Sequence, residues 1–98
     1  MVQISPVKLR YSKRALHQID EALGYLAKQS PQGAAKVAAR MALILTLLQQ
    51  YPHTGSKTKI SGVRRVFLTP YPYLIDYYAG ADEIVVQRFR HAMRRPLK

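Results

Sequence analysis

Val63-Arg64-Arg65-Val66-Phe67-Leu68, the run from Tyr71 to Tyr78 and the run from Ile84 to His91 decide the fold. Each is rich in β-branched, aromatic and aliphatic residues, and each is bounded by turn chemistry. Thr69-Pro70-Tyr71-Pro72 separates the first two and keeps its prolines at a turn; Ala79-Gly80-Ala81-Asp82 separates the second from the third. Connections this short predict antiparallel neighbours. Arginines interleave the apolar residues, and from Gln87 to Lys98 the chain holds Arg88, Arg90, Arg94, Arg95 and Lys98 with no acid. Such a concentration on a small sheet predicts a surface that meets something negative.

Upstream, Val7-Lys8-Leu9-Arg10-Tyr11 alternates as a half-buried strand should. Ser12 is placed to cap a helix whose Leu16, Ile19, Leu23 and Leu26 form an apolar stripe. Ser30 and Pro31 start a second helix that runs to about Gln50, with Val37, Met41, Ile44, Leu45 and Leu48 towards the core. Its alanines allow close packing on the first helix, and the short link predicts an antiparallel hairpin. Tyr51-Pro52-His53-Thr54-Gly55 ends that helix, and a basic loop leads into the three strands. The expected fold is α+β: an N-terminal strand, then an antiparallel helical hairpin packed on one face of a mainly antiparallel four-stranded sheet. Residues 1–98 read as a single domain.

The other sheet face is left uncovered. Reading with period 2 puts Val63, Arg65 and Phe67 opposite Arg64, Val66 and Leu68. In the last strand it puts Ile84, Val86, Arg88 and Arg90 opposite Val85, Gln87, Phe89 and His91. Each strand is apolar in its body and basic towards an end, so alternation alone leaves open which arginines point into a groove.

The chain carries 16 Lys and Arg against 5 Asp and Glu, a net charge of +11 spread over both halves. This predicts a polyanionic or acidic partner. With no cysteine there is neither a disulfide framework nor a thiolate metal site, which fits a reducing cytoplasm. His17, His53 and His91 are too scattered in sequence for a metal site, and no cofactor motif is present, so metal and cofactor are expected to be absent. The longest uncharged apolar run, Met41 to Leu48, is too short to span a bilayer, and Met1 to Pro6 lacks the pattern of a signal peptide. A cytoplasmic protein without membrane contact is expected. His91, beside Arg88, Arg90 and Arg94, reads either as a base or as a structural histidine tying strand to tail. The tyrosines at 71, 73, 77 and 78 read either as stacking groups or as packing residues.

In order and spacing these elements resemble the RelE/ParE superfamily of bacterial type II toxins, across almost the whole chain. The resemblance lies in the strand entering Ser12-Lys13-Arg14-Ala15 and in the exit Leu47-Leu48…Tyr51-Pro52…Gly55. It continues through Gly62-Val63-Arg64-Arg65, Tyr73-Leu74-Ile75-Asp76-Tyr77-Tyr78 and the terminal stretch from Glu83 to Pro96. It implies a toxin neutralised by a cognate acidic antitoxin in a hetero-oligomeric complex. Two chemistries occur in the superfamily. ParE-like members inhibit DNA gyrase and need no catalytic set; the alanine-rich hairpin and the His-x-x-Arg-x-Pro ending look more like that branch. RelE-like members are ribosome-dependent mRNA endoribonucleases that act without metal. On that alternative, Arg64 and His91 match the catalytic arginine and histidine. Lys57, Lys59, Arg65, Tyr77, Arg88, Arg90, Arg94 and Arg95 are the candidate nucleic-acid or target contacts on either branch. A toxin-like module that only binds is a third reading.

Overall fold

The computed structural model describes residues 7–93. Ser12 leaves the chain extended at φ −71° and ψ 159°, and its hydroxyl accepts the Ala15 N–H at 3.0 Å, which starts α1 (Lys13–Gln29). Ser30 ends α1 by donating its N–H to Leu26 O at 2.7 Å, and starts α2 (Pro31–Gln50) by accepting the Gly33 N–H at 3.0 Å. One residue thus caps both helices, which leaves no loop and forces the hairpin. Val37, Leu45 and Leu48 of α2 are buried, with Met41 and Ile44 packed against them.

On α1 the core-facing stripe is the buried Ala15 with the partly buried Ile19, Ala22, Leu23 and Leu26, whereas Leu16 is 52% exposed. The expected stripe is displaced by one position at its start. Ala15 is fully buried at the helix N-terminus beside the sheet, and it aligns with Ile19, Ala22 and Leu26 at helical spacing. Leu16 therefore turns outward.

The strands are β1 (Lys8–Tyr11), β2 (Ser56–Lys57), β3 (Val63–Phe67), β4 (Tyr73–Ala79) and β5 (Glu83–His91), joined as one five-stranded sheet in the order β1-β5-β4-β3-β2. All pairs are antiparallel except β1 with β5, because the hairpin carries the chain across before it returns. β2 is too short to be seen by alternation and adds an edge strand to the four expected. The hairpin covers one face. Leu48, Leu68, Ile75, Tyr77, Ile84, Val86 and Phe89 are the largest fully buried side chains between the layers. Each is worth about 1.5–3 kcal/mol relative to exposure for an aliphatic or Phe side chain.

A bulge in β5 decides which face its arginines occupy. Asp76 pairs with Arg88 and Tyr77 with Val86, so Gln87 is the extra residue. Ile84 and Val86 lie in the core before it, and Phe89 lies in the same core after it. The uninterrupted period-2 reading, with Arg88 and Arg90 on the side of Ile84 and Val86, is therefore corrected. One added residue reverses the alternation, and Arg88 moves to the uncovered face.

Candidate functional site

β2, β3, β4 and β5 present their uncovered face as a shallow basin of about 680 Å³, lined by Lys57, Lys59, Arg65, Arg88, Gln87 and Asp76, with Arg14 from the start of α1. Lys57 and Lys59 are exposed, and Arg65 and Arg88 half-buried. Arg65 and Arg88 stand on either side of Asp76 in the ladder. Arg65 Nε donates to Asp76 Oδ1 at 2.7 Å and Nη2 to Oδ2 at 3.1 Å, a two-point pair that fixes the guanidinium plane. The hydrogen bonds and charge of Asp76 raise the Arg65 pKa above its ordinary value. Asp76 is 7% exposed. It is the one acid in this basin, so the basin stays cationic and suits a polyanionic or acidic surface. Sequence reading had not singled out Asp76; the signal was an acid inside the apolar run from Tyr73 to Tyr78, flanked in space by arginines.

Arg64 and Tyr77 point the other way, into the loop between α2 and β2. Arg64 Nη1 donates to the carbonyls of Gly55 at 2.8 Å and His53 at 3.2 Å. The Tyr77 hydroxyl donates to Pro52 O at 2.6 Å and accepts the Gly55 N–H at 3.0 Å. Burial raises the Tyr77 pKa, against the lowering effects of the Gly55 N–H and the Arg64 charge. Gly55 is required here: a Cβ would lie 2.7 Å from the Tyr77 hydroxyl and 2.9 Å from Arg65 O. Tyr77 is fully buried, so the expectation that it contacts a target is corrected; its hydroxyl holds the helix exit.

His91 lies in a second depression, of about 860 Å³, between the hairpin turn and the far end of the sheet. Tyr25, Leu26, Val37, Tyr71, Tyr73 and Phe89 make it largely apolar, with Arg90 and Glu21 at its margin. Tyr73 stacks on Phe89 at 5.3 Å and meets the His91 ring edge-on at 5.3 Å. His91 Nδ1 accepts the Met93 N–H at 3.1 Å. Arg64 pairs with Tyr77 and His91 with Tyr73. Their partners therefore stand four positions apart on β4, roughly 13 Å along the strand. The structure does not bring the two candidate catalytic residues together. Arg94 and Arg95 lie outside the described residues. Among the described residues no three His, Cys, Asp or Glu side chains gather where they could hold a metal ion, and no helix is long and apolar enough to cross a membrane.

A helical hairpin on one face of a mixed sheet is the architecture that the resemblance to RelE/ParE-type toxins implies. Residues 9–96 match the model of the ParE toxin of type II toxin–antitoxin systems, parDE. The chain belongs to the ParE toxin family. A protein of Sinorhizobium fredii named as toxin Y4kP is 34% identical over 89 residues, covering 90% of this chain and 93% of its own. Toxin RelE2 of Caulobacter vibrioides is 31% identical over 81 residues, covering 83% and 90% respectively. A solved structure of a chromosomal ParDE system from P. aeruginosa superposes with a TM-score of 0.74 at 20% identity, over 87% of this chain and 95% of that one.

Proposed function

We propose that this ParE-family toxin is neutralised by an acidic antitoxin and, when released, arrests growth by inhibiting DNA gyrase. The observation that carries the choice of target is the separation of Arg64 from His91. Arg64 is committed to two loop carbonyls, and His91 sits at the other end of the sheet in an apolar hollow. General acid–base cleavage of RNA needs both groups within reach of one phosphate. Inhibition by binding needs a shaped, charged surface, and the basin around Lys57, Lys59, Arg65 and Arg88 supplies one. The antitoxin half of the proposal rests on the net charge of +11, which favours fast, salt-sensitive capture of an acidic segment.

Purified, antitoxin-free toxin in a gyrase reaction with relaxed plasmid and ATP is the direct test. Loss of supercoiling that grows with toxin concentration is expected. Unchanged supercoiling together with cleavage of ribosome-bound mRNA would overturn the choice of target. The kinship to a relative named RelE2 makes that second assay the appropriate comparison.

A further inference from the structure

The two helices of the hairpin present different outer faces. On α1 the exposed positions include Lys13, Arg14, Asp20, Glu21 and Lys28, a solvated face of mixed charge. On α2 the exposed positions after Lys36 are Ala39, Ala42, Leu43, Thr46, Leu47 and Gln50, with no charge among them. Leu43 is 65% and Leu47 42% exposed, and Tyr51, just past the helix end, is 61% exposed. Among the described residues nothing covers this face. A solvated helix face carries charged and polar groups, so an uncharged one with exposed leucines is a surface for contact.

Charge selects the occupant. An acidic segment would find no cation between Ala39 and Gln50 except the half-buried Arg40. A second copy of this chain, itself at +11, needs a neutral face of this kind to approach at all. Shape selects the arrangement. A twofold axis at Leu43 sets two α2 helices antiparallel, with residue numbers that stand level adding to a constant. Ala39 then stands level with Leu47 of the second copy, and Ala35 with its Tyr51. Small residues opposite large ones let the two backbones approach closely. Lys36 stands level with Gln50 of the second copy, at the carbonyl end of a helix that has no basic residue in its own last turn. A cation is favourable there. In a parallel pair Lys36 would meet Lys36, which is repulsive.

We propose that the outer face of α2 is a self-association surface, through which two copies of the chain pair antiparallel about Leu43. One pair of helix faces falls among the small interfaces, below about 1,200 Å², so the dimer forms only at micromolar concentration or above. The basin lies on the sheet face away from the hairpin, and pairing leaves it open in both copies. Salt screens the repulsion between the two charged bodies and strengthens the pairing, the opposite of its effect on capture of an acidic partner.

Sedimentation equilibrium of the full, antitoxin-free chain reads the mass, and the cysteine-free sequence lets single cysteines read the geometry. The mass rises from 11.2 kDa towards twice that value with concentration, and the midpoint falls about threefold or more between about 0.05 and 0.5 M NaCl. Leu43→Glu, at an exposed position, keeps the chain monomeric without lowering the unfolding midpoint. Leu43→Cys, on the twofold axis, closes into a disulfide dimer on oxidation. Ala35→Cys does not, because its two copies lie roughly 24 Å apart along the helix axes. A chain that stays monomeric at every concentration and salt would overturn the proposal. A dimer that weakens with salt would overturn it too, since charge would then be holding the copies together. So would a dimer that closes through Ala35→Cys and not through Leu43→Cys, which would place the contact elsewhere.

Discussion

The Ser12 hydroxyl donates to the carbonyl of Gln87 at 3.2 Å while accepting the Ala15 N–H at 3.0 Å. The first turn of α1 and the bulge of β5 are thus held by one side chain. The Ser12 N–H adds a bond to Val86 O at 2.9 Å. The bulge puts Arg88 in the basin and Phe89 in the core, so the start of the first helix supports the charge pattern of the opposite sheet face. Gln18, one turn further along α1, accepts the Phe89 N–H at 2.8 Å and continues the same seam.

Ser12→Ala removes a helix cap and a tie to the bulge at once. A loss of about 1–2 kcal/mol in unfolding free energy is expected, measured by urea denaturation. Ser12→Thr, which keeps the hydroxyl, should recover most of it. A loss no larger than a few tenths of a kcal/mol for the alanine variant would show that water replaces both bonds.

Tyr77 gives a prediction with a pH signature. Tyr77→Phe leaves the Gly55 N–H and Pro52 O without their partner, at an expected cost of about 1–3 kcal/mol at neutral pH. In the parent protein burial raises the pKa of both Tyr77 and Tyr11. Both phenols then stay protonated past the pH at which they ionise in the unfolded chain. The stability linked to this is complete below about pH 10 and is lost as pH rises through the folded-state values. Tyr77→Phe should therefore be less stable at neutral pH and also show a shallower alkaline decline, read as melting temperature across an alkaline pH series.

Asp76→Asn tests the pair beneath the basin. The carboxylate is nearly buried and receives two guanidinium bonds, while Arg65 keeps about a third of its side chain in water. That exposure limits the loss to about 1–3 kcal/mol, less than for a fully buried pair. A double-mutant cycle with Arg65→Met should give a favourable coupling energy of about 1 kcal/mol or more. Additive losses would mean that the pair orients Arg65 without stabilising the fold.

Most of the fold was legible because its punctuation is local. Ser12, Ser30-Pro31 and Pro52 set the helix limits through their own backbone chemistry, and the turns at Thr69-Pro70 and Gly80 set the strands. What stayed hidden depends on partners far away in sequence. The bulge at Gln87 has no local signature, since its tie runs to Ser12, 75 positions earlier. β2 is a strand only because Arg64 and Arg65 pair with it. The uncommitted arginines follow from this. A single unread residue inverted the strand beyond it, so the sequence marked a basic surface without showing that Arg64 and Arg88 lie on opposite faces.

That division of the arginines sets the last prediction. Lys57→Glu with Lys59→Glu reverses charge in the basin at two exposed positions, so folding should be nearly unaffected. Inhibition of supercoiling should fall about tenfold or more and become less dependent on salt, because the lost groups act through charge. Arg64→Ala should behave differently. Its guanidinium joins the carbonyls of His53 and Gly55, so its loss lowers unfolding free energy, and activity falls only as far as the folded population does. Both variants are read in parallel by urea unfolding and by the supercoiling reaction. If Arg64→Ala abolished inhibition in fully folded protein while the double reversal left it intact, the basin would not be the target surface, and the end of the sheet beside Gly55 would take its place.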